Sequence, residues 1–133
     1  RNANIFVGGG TVHGPSGEQN YNLKLTAKMK NKALISALSW QAPTMMVTEA
    51  IDKLDGKTKS AAKLLADQLK DDTRILVVVD KITPMMRRSL NNLEQVLVVS
   101  AARLNTLQVL NADSIILTNQ ALPVLETRLG EAK

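Results

Sequence analysis

Along this chain, short unbroken apolar runs alternate with longer stretches in which apolar residues recur every three or four positions. The clearest run is Ile75-Leu76-Val77-Val78-Val79, closed by Asp80. Every member but Leu76 is β-branched. Such a run suits a strand buried on both faces, as in a parallel sheet flanked by helices. Shorter runs over residues 44–48, 96–99 and 114–117 predict three more strands.

Between the runs the period becomes helical. Thr26 is placed to cap a helix ending near Ser39 or Trp40, with Met29, Ala33, Leu34, Ala37 and Leu38 as its apolar stripe and Pro43 beyond its end. Residues 51–56 read as a turn. A second helix is expected over 58–70 with Ala61, Leu64, Leu65 and Leu69 inward. A third starts at Pro84 and continues over 85–93, exposing Arg87 and Arg88, and a short fourth covers 104–110. The last is expected to be capped by Thr118 and to end near Leu129, with Gly130 as its stop and Pro123 early enough to be tolerated. Four strands alternating with five helices predict an α/β domain: an open, mainly parallel four-stranded sheet with helices on both faces.

The beginning of the chain follows neither pattern. Residues 1–7 read as extended, with Ile5, Phe6 and Val7 as the only apolar anchor, and Gly8-Gly9-Gly10-Thr11-Val12-His13-Gly14-Pro15 follows. The expected organisation is a glycine-rich extended arm over 1–22 ahead of a globular domain over 23–133. Consecutive glycines permit positive φ and close approach to another backbone or to a phosphate. Neither phosphate-binding fingerprint fits. No Gly-Lys-Ser/Thr ending opens a helix, and counting from Gly8, His13 stands where G-x-G-x-x-G requires its third glycine. Taken alone, the stretch is a flexible turn.

Charge changes this picture. The net charge is +5, but residues 1–40 hold Arg1, Lys24, Lys28, Lys30 and Lys32 against Glu18 alone, a local +4. The remaining 93 residues hold twelve bases against eleven acids. Lys28 and Lys32 stand one turn apart opposite the apolar stripe, with Lys30 nearer its edge, on a helix that contains no acid. By contrast, Lys57, Lys59 and Lys63 are offset by Asp67, Asp71 and Asp72 and read as a solvated face. A localised positive field attracts polyanions. With one Trp, one Tyr and one Phe in 133 residues, stacking on splayed bases is a poor main mode of binding, which leaves the backbone and groove shape of structured nucleic acid.

Other chemistry finds little footing. The chain has no cysteine, which removes disulfides and thiolate metal sites. No apolar run approaches the roughly 20 residues of a membrane span. No carboxylate dyad or metal-ligand spacing appears, so no catalytic residue, metal or cofactor is expected. Asp80 occupies the strand end where doubly wound enzymes place catalytic or metal-binding acids. The alternative reading is therefore a small nucleotide-binding or phosphoacceptor domain centred on Asp80. It requires further acids at adjacent strand ends, where Glu49 and Ser100 form a poor set. A protein-interaction module is a third reading.

Three blocks resemble one family. GGGTVHGP and the helix KMKNKALISALS are similar to the GGG-x-x-F-G-P and K-K-V-R-R-L-A-L-x-S-A-L-S pattern of bacterial-type ribosomal protein L-four. LNTLQVLNADSIILTNQAL resembles its L-N-V-x-D-L-L-x-x-D-x-L-V-L-T-x-x-A-L, and LVVVD sits at the expected place between them. The resemblance implies a structural, non-enzymatic constituent of the large ribosomal subunit, in the cytoplasm or an organelle. Its partners would be ribosomal RNA and neighbouring ribosomal proteins, with no membrane and no small-molecule substrate. It also implies an α/β domain bearing a long basic loop that reaches the wall of the peptide exit tunnel. Taken with the local charge, it gives Arg1, Gly8, Gly9, Gly10, His13, Lys24, Lys28, Lys30, Lys32 and Arg103 as the expected RNA-binding residues, of which Lys28, Lys30 and the triple glycine match the family pattern best. Departures thin the basic surface: His13 replaces Phe, Asn31 an Arg, Ile35 an Arg or Lys, and Ala102 an Arg, while Asn2 and Asn4 replace Arg and Pro. Family members carry a strand, a helix and the basic loop before GGG, so a longer intact polypeptide is expected.

Overall fold

Every hydrogen-bonded pair of strands in the sheet is parallel. A computed structural model describes residues 2–66 and 73–130. Its strands are β1 (Met45–Thr48), β2 (Ile75–Val79), β3 (Val96–Ser100) and β4 (Ser114–Thr118), in the spatial order β1-β4-β2-β3. The α-helices are α1 (Ala27–Gln41), α2 (Thr58–Leu65), α3 (Pro84–Leu90), α4 (Thr106–Leu110) and α5 (Ala121–Gly130), with 3-10 turns at Ala42–Thr44, Ala50–Lys53 and Ala101–Arg103. The predicted α/β class and parallel sheet are those observed.

β2 explains why helices lie on both faces. All five of its residues are buried. Because alternate side chains of a strand point to opposite faces, Leu76 and Val78 enter one core and Ile75, Val77 and Val79 the other. The first core contains Leu34 and Ala37 of α1, Val109 of α4 and Leu125 of α5. The second contains Ala61 and Leu65 of α2 with Met86 and Leu90 of α3. A polar residue in β2 would leave one layer without its floor.

Several local expectations are corrected. Residues 2–10 are not extended: Phe6 N–H donates to Ala3 O and Gly9 N–H to Phe6 O, folding the segment into tight turns. Met29 and Leu64 are not inward but 58% and 50% exposed. Each stands at the margin of its helix's buried stripe, which is centred on Leu34 and Ala37 in α1 and on Ala61 and Leu65 in α2. Ala33 is also exposed. Leu69 and the C-terminal end of the expected 58–70 helix lie outside the described residues. Thr118 does not cap α5. It is the fully buried last residue of β4, and the helix begins at Ala121. Gly130 is the last residue within α5, not a stop beyond it. β3 is an edge strand, so Leu97 is half exposed, unlike its partner Leu76 on β2.

Candidate nucleic-acid interface

α1 starts where Thr26 Oγ1 accepts the N–H of Met29 at 3.4 Å, satisfying one of the unpaired donors of the first turn. The helix buries Leu34 and Ala37 against the sheet and packs beside α4 and α5. Its far end is tied down by Gln41, whose Nε2 donates to Ala112 O at 2.8 Å and Val109 O at 3.5 Å. Midway, Asn31 Nδ2 donates to Arg128 O at 3.5 Å at the end of α5. Asn31, one of the departures from the basic pattern, thus joins two helices.

This anchoring fixes where the lysines point. At about 100° per residue, Lys28 and Lys32 lie ~40° apart, while Lys30 is ~200° around from Lys28. Lys28, Lys30 and Lys32 are all exposed, and α1 has no acid in its first turn. Lys30 faces a groove of about 720 Å³ between α1, the turn before α4 and the end of α5. Arg103 lines the same groove, with Met29, Leu34 and Leu104 as apolar lining. Two residues 73 positions apart in sequence, both singled out from the sequence, are therefore brought together. Lys28 and Lys32 are not among the groove's lining residues.

Arg128 also lines the groove and was missed by sequence reasoning. Its Nη1 donates to Ala101 O at 2.9 Å. It thereby holds the Ala101–Arg103 turn against α5, and so positions Arg103. Nothing local to Arg128 signals this contact, since its partner lies 27 residues away. A second missed feature was legible. Asn105 and Gln108 form a capping box, with Asn105 N–H donating to Gln108 Oε1 at 3.0 Å, which starts α4 directly beside Arg103.

The glycines divide by role. Gly8 has φ +77°, a conformation that side chains rarely adopt. A Cβ on Gly9 would collide with the carbonyl oxygens of Ala3 and Phe6, so Gly9 is required by the chain's own turn. Gly10 has room for a side chain, with Asn4 Oδ1 at 3.6 Å from the added Cβ. His13 is the one non-glycine with positive φ among the described residues, at 52°. Gly8, Gly10, His13 and Lys24 are exposed and Gly9 half-buried, in a stretch with no helix or strand from residue 2 to 26. Arg1 lies outside the described residues.

The Asp80 alternative gains no support from the geometry. Asp80 is half-buried, and the neighbouring strands β3 and β4 end in Ser100 and Thr118. Glu49, after the far strand β1, is engaged by Asn119 Nδ2 at 2.5 Å. Among the described residues no group of three or more His, Cys, Asp or Glu could hold a metal ion, and no helix is long and apolar enough to cross a membrane.

Fold and site together define a parallel α/β domain that presents a basic helix and a basic groove, not an assembled set of reactive groups. Comparison with known proteins gives this class its family. The model of the ribosomal protein L4/L1 family matches residues 1–128, and the chain belongs to that family. It is 36% identical over 119 residues to large ribosomal subunit protein uL4 of Mycolicibacterium smegmatis, covering 88% of this chain and 55% of that protein. Over 127 residues it is 35% identical to the protein of the same name from Parabacteroides distasonis, covering 94% and 60%. For Mycoplasma genitalium the figures are 34% over 128 residues, 93% and 61%. The chain thus spans a little over half the length of these relatives. They are named as ribosomal subunit proteins, and the family is not one of enzymes.

Proposed function

We propose that this protein is a structural constituent of the large ribosomal subunit, cytoplasmic where the ribosome is, and that it binds ribosomal RNA through α1 and the groove beside it. Family membership supports the ribosomal part. The single observation that carries the RNA part is the convergence of Lys30 and Arg103 on one groove, beside an acid-free helix that exposes Lys28 and Lys32. Lysine and arginine there neutralise phosphates and release condensed counterions, so binding is strong at low salt and weakens steeply as salt rises. Arg103 adds a planar fork suited to bidentate phosphate contact.

The division of labour is a rigid platform over residues 23–133 and a glycine-bearing arm over residues 1–22. The platform holds α1 in register on the RNA. The arm is the returning end of a loop that reaches the peptide exit tunnel. Its support is the exposed stretch without helix or strand up to residue 26, together with the family resemblance of GGGTVHGP. Neighbouring ribosomal proteins are the other partners.

Fractionation of native ribosomes tests the assignment. The protein is expected to sediment with the large subunit and to leave it only in a high-salt wash. Recovery in the soluble fraction at physiological salt, with none on the large subunit, would refute it.

A further inference from the structure

α1 and α4 share an exposed apolar seam that phosphate contacts cannot use. At about 100° per residue, Met29, Ala33 and Trp40 fall within ~40° of one another on α1. All three are exposed, and Trp40, the only Trp in the chain, is 79% exposed. Met29 and Ala33 line the groove beside Thr106 of α4. Trp40 directly precedes Gln41, which reaches Val109 O and Ala112 O at the far end of α4. The stripe therefore runs along α4. There Leu110 lies one turn beyond Thr106 and Leu107 beside it, 55% and 63% exposed. Val109 supplies the buried contact of α4, so Leu107 and Leu110 are surplus to the core.

We propose that this seam docks an acidic amphipathic helix of a partner protein, with Trp40 as its anchor. An apolar centre with a polar margin is the anatomy of a protein interface, and Trp is among the side chains that most often carry such binding. An apolar stripe between two helices is filled by a third that brings an apolar face of its own. Charge selects the partner. Residues 26–41 and 101–112 contain no Asp or Glu. Lys28 and Lys32 flank the stripe on its outer side, and Lys30 and Arg103 lie at its first end. A helix with carboxylates beside its apolar face complements this surface. A second copy of this chain does not, because it brings the same acid-free cationic face. RNA offers phosphates to the lysines and a stacking partner to Trp40, but nothing to Leu107 and Leu110. The inference goes beyond the RNA reading and does not depend on it.

The test uses the full chain and a labelled peptide of about 20 residues, Leu at heptad spacing among Glu and Ala, long enough to be helical. Binding is read by anisotropy of the label and by the emission of Trp40. The peptide is expected to bind and to shift that emission to the blue. A scrambled peptide of the same composition is expected to bind about tenfold more weakly or worse, and one with Lys in place of Glu not at all. Leu107→Ser/Leu110→Ser and, by anisotropy, Trp40→Ala are each expected to weaken binding about tenfold or more, with the Tm of both close to the parent. Equal binding of the scrambled or the Lys peptide, or no loss in these variants, would refute the seam. Protein-free large-subunit RNA that quenches Trp40 where the peptide leaves it unchanged would make the seam an RNA surface and refute the proposal. In the native particle, a photo-crosslinker in place of Leu110 is expected to join a protein segment rich in Asp or Glu. No crosslink, or crosslinks to RNA alone, would refute it. None of these outcomes bears on the salt dependence of RNA binding, so the two readings fail separately.

Discussion

Arg74 and Asp113 hold each other reciprocally at the start of the two central strands. Arg74 N–H donates to Asp113 Oδ2 at 2.8 Å, and Asp113 N–H donates to Arg74 O at 2.9 Å. Thirty-nine residues apart in sequence, they set β2 against β4 in the register that pairs Ile75 with Ser114. Asp113→Ala removes a charged acceptor from a backbone donor. Both residues are exposed, so the cost is expected to be about 1 kcal/mol, at the low end for hydrogen bonds to charged groups. Urea denaturation checks it, and an unchanged midpoint would show that the strands align without the pair.

Thr118 offers the opposite sign. Its side chain is fully buried at the end of β4, and its Oγ1 finds no hydrogen-bond partner among the described residues. A buried hydroxyl without a partner costs about 1–3 kcal/mol, and valine has nearly the same shape without it. Thr118→Val is therefore expected to leave thermal stability unchanged or raise it. A marked fall in Tm would mean that the hydroxyl has a partner in the assembled protein.

Much of the architecture was legible because burial on both faces leaves a one-dimensional mark. The run from Ile75 to Val79 could be read without knowing its neighbours, since every residue must be apolar whichever face it meets. Edge positions leave no such mark. Met29 and Leu64 carry the right residue types at helical spacing, yet lie half exposed at the margins of their helices. The basic site was half legible. Excess charge on α1 is a local property, but the meeting of Lys30 with Arg103, and the support of Arg103 by Arg128, depend on how α5 returns to the turn after β3.

The glycines separate an intrachain role from an RNA role. Gly9→Ala forces a Cβ into the carbonyl oxygens of Ala3 and Phe6, so it is expected to unfold the turns over residues 2–10. Gly10→Ala meets no such obstacle. Amide chemical shifts over this segment are expected to move widely for the first variant and only locally for the second. If Gly10→Ala nonetheless weakens RNA binding tenfold or more, RNA backbone must press against that position.

Convergence on one groove predicts energetic coupling. In a double-mutant cycle on RNA affinity, Lys30→Ala and Arg103→Ala are expected to be non-additive by at least about 0.5 kcal/mol, because both contact the same stretch of RNA. Lys28→Ala, which alters a residue outside the groove, is expected to add to Arg103→Ala within about 0.3–0.5 kcal/mol. The reverse pattern would place Arg103 with the outer face of α1.

The most direct test of the account is the salt dependence of ribosomal RNA binding by the triple variant Lys28→Ala, Lys30→Ala, Lys32→Ala. All three side chains are exposed, so the fold is expected to survive, with circular dichroism and Tm close to the parent. If α1 is the phosphate-binding element, the slope of log affinity against log salt falls by about two to three units, near one per lost phosphate contact. A folded triple variant that binds with the parent's affinity and slope contradicts the account.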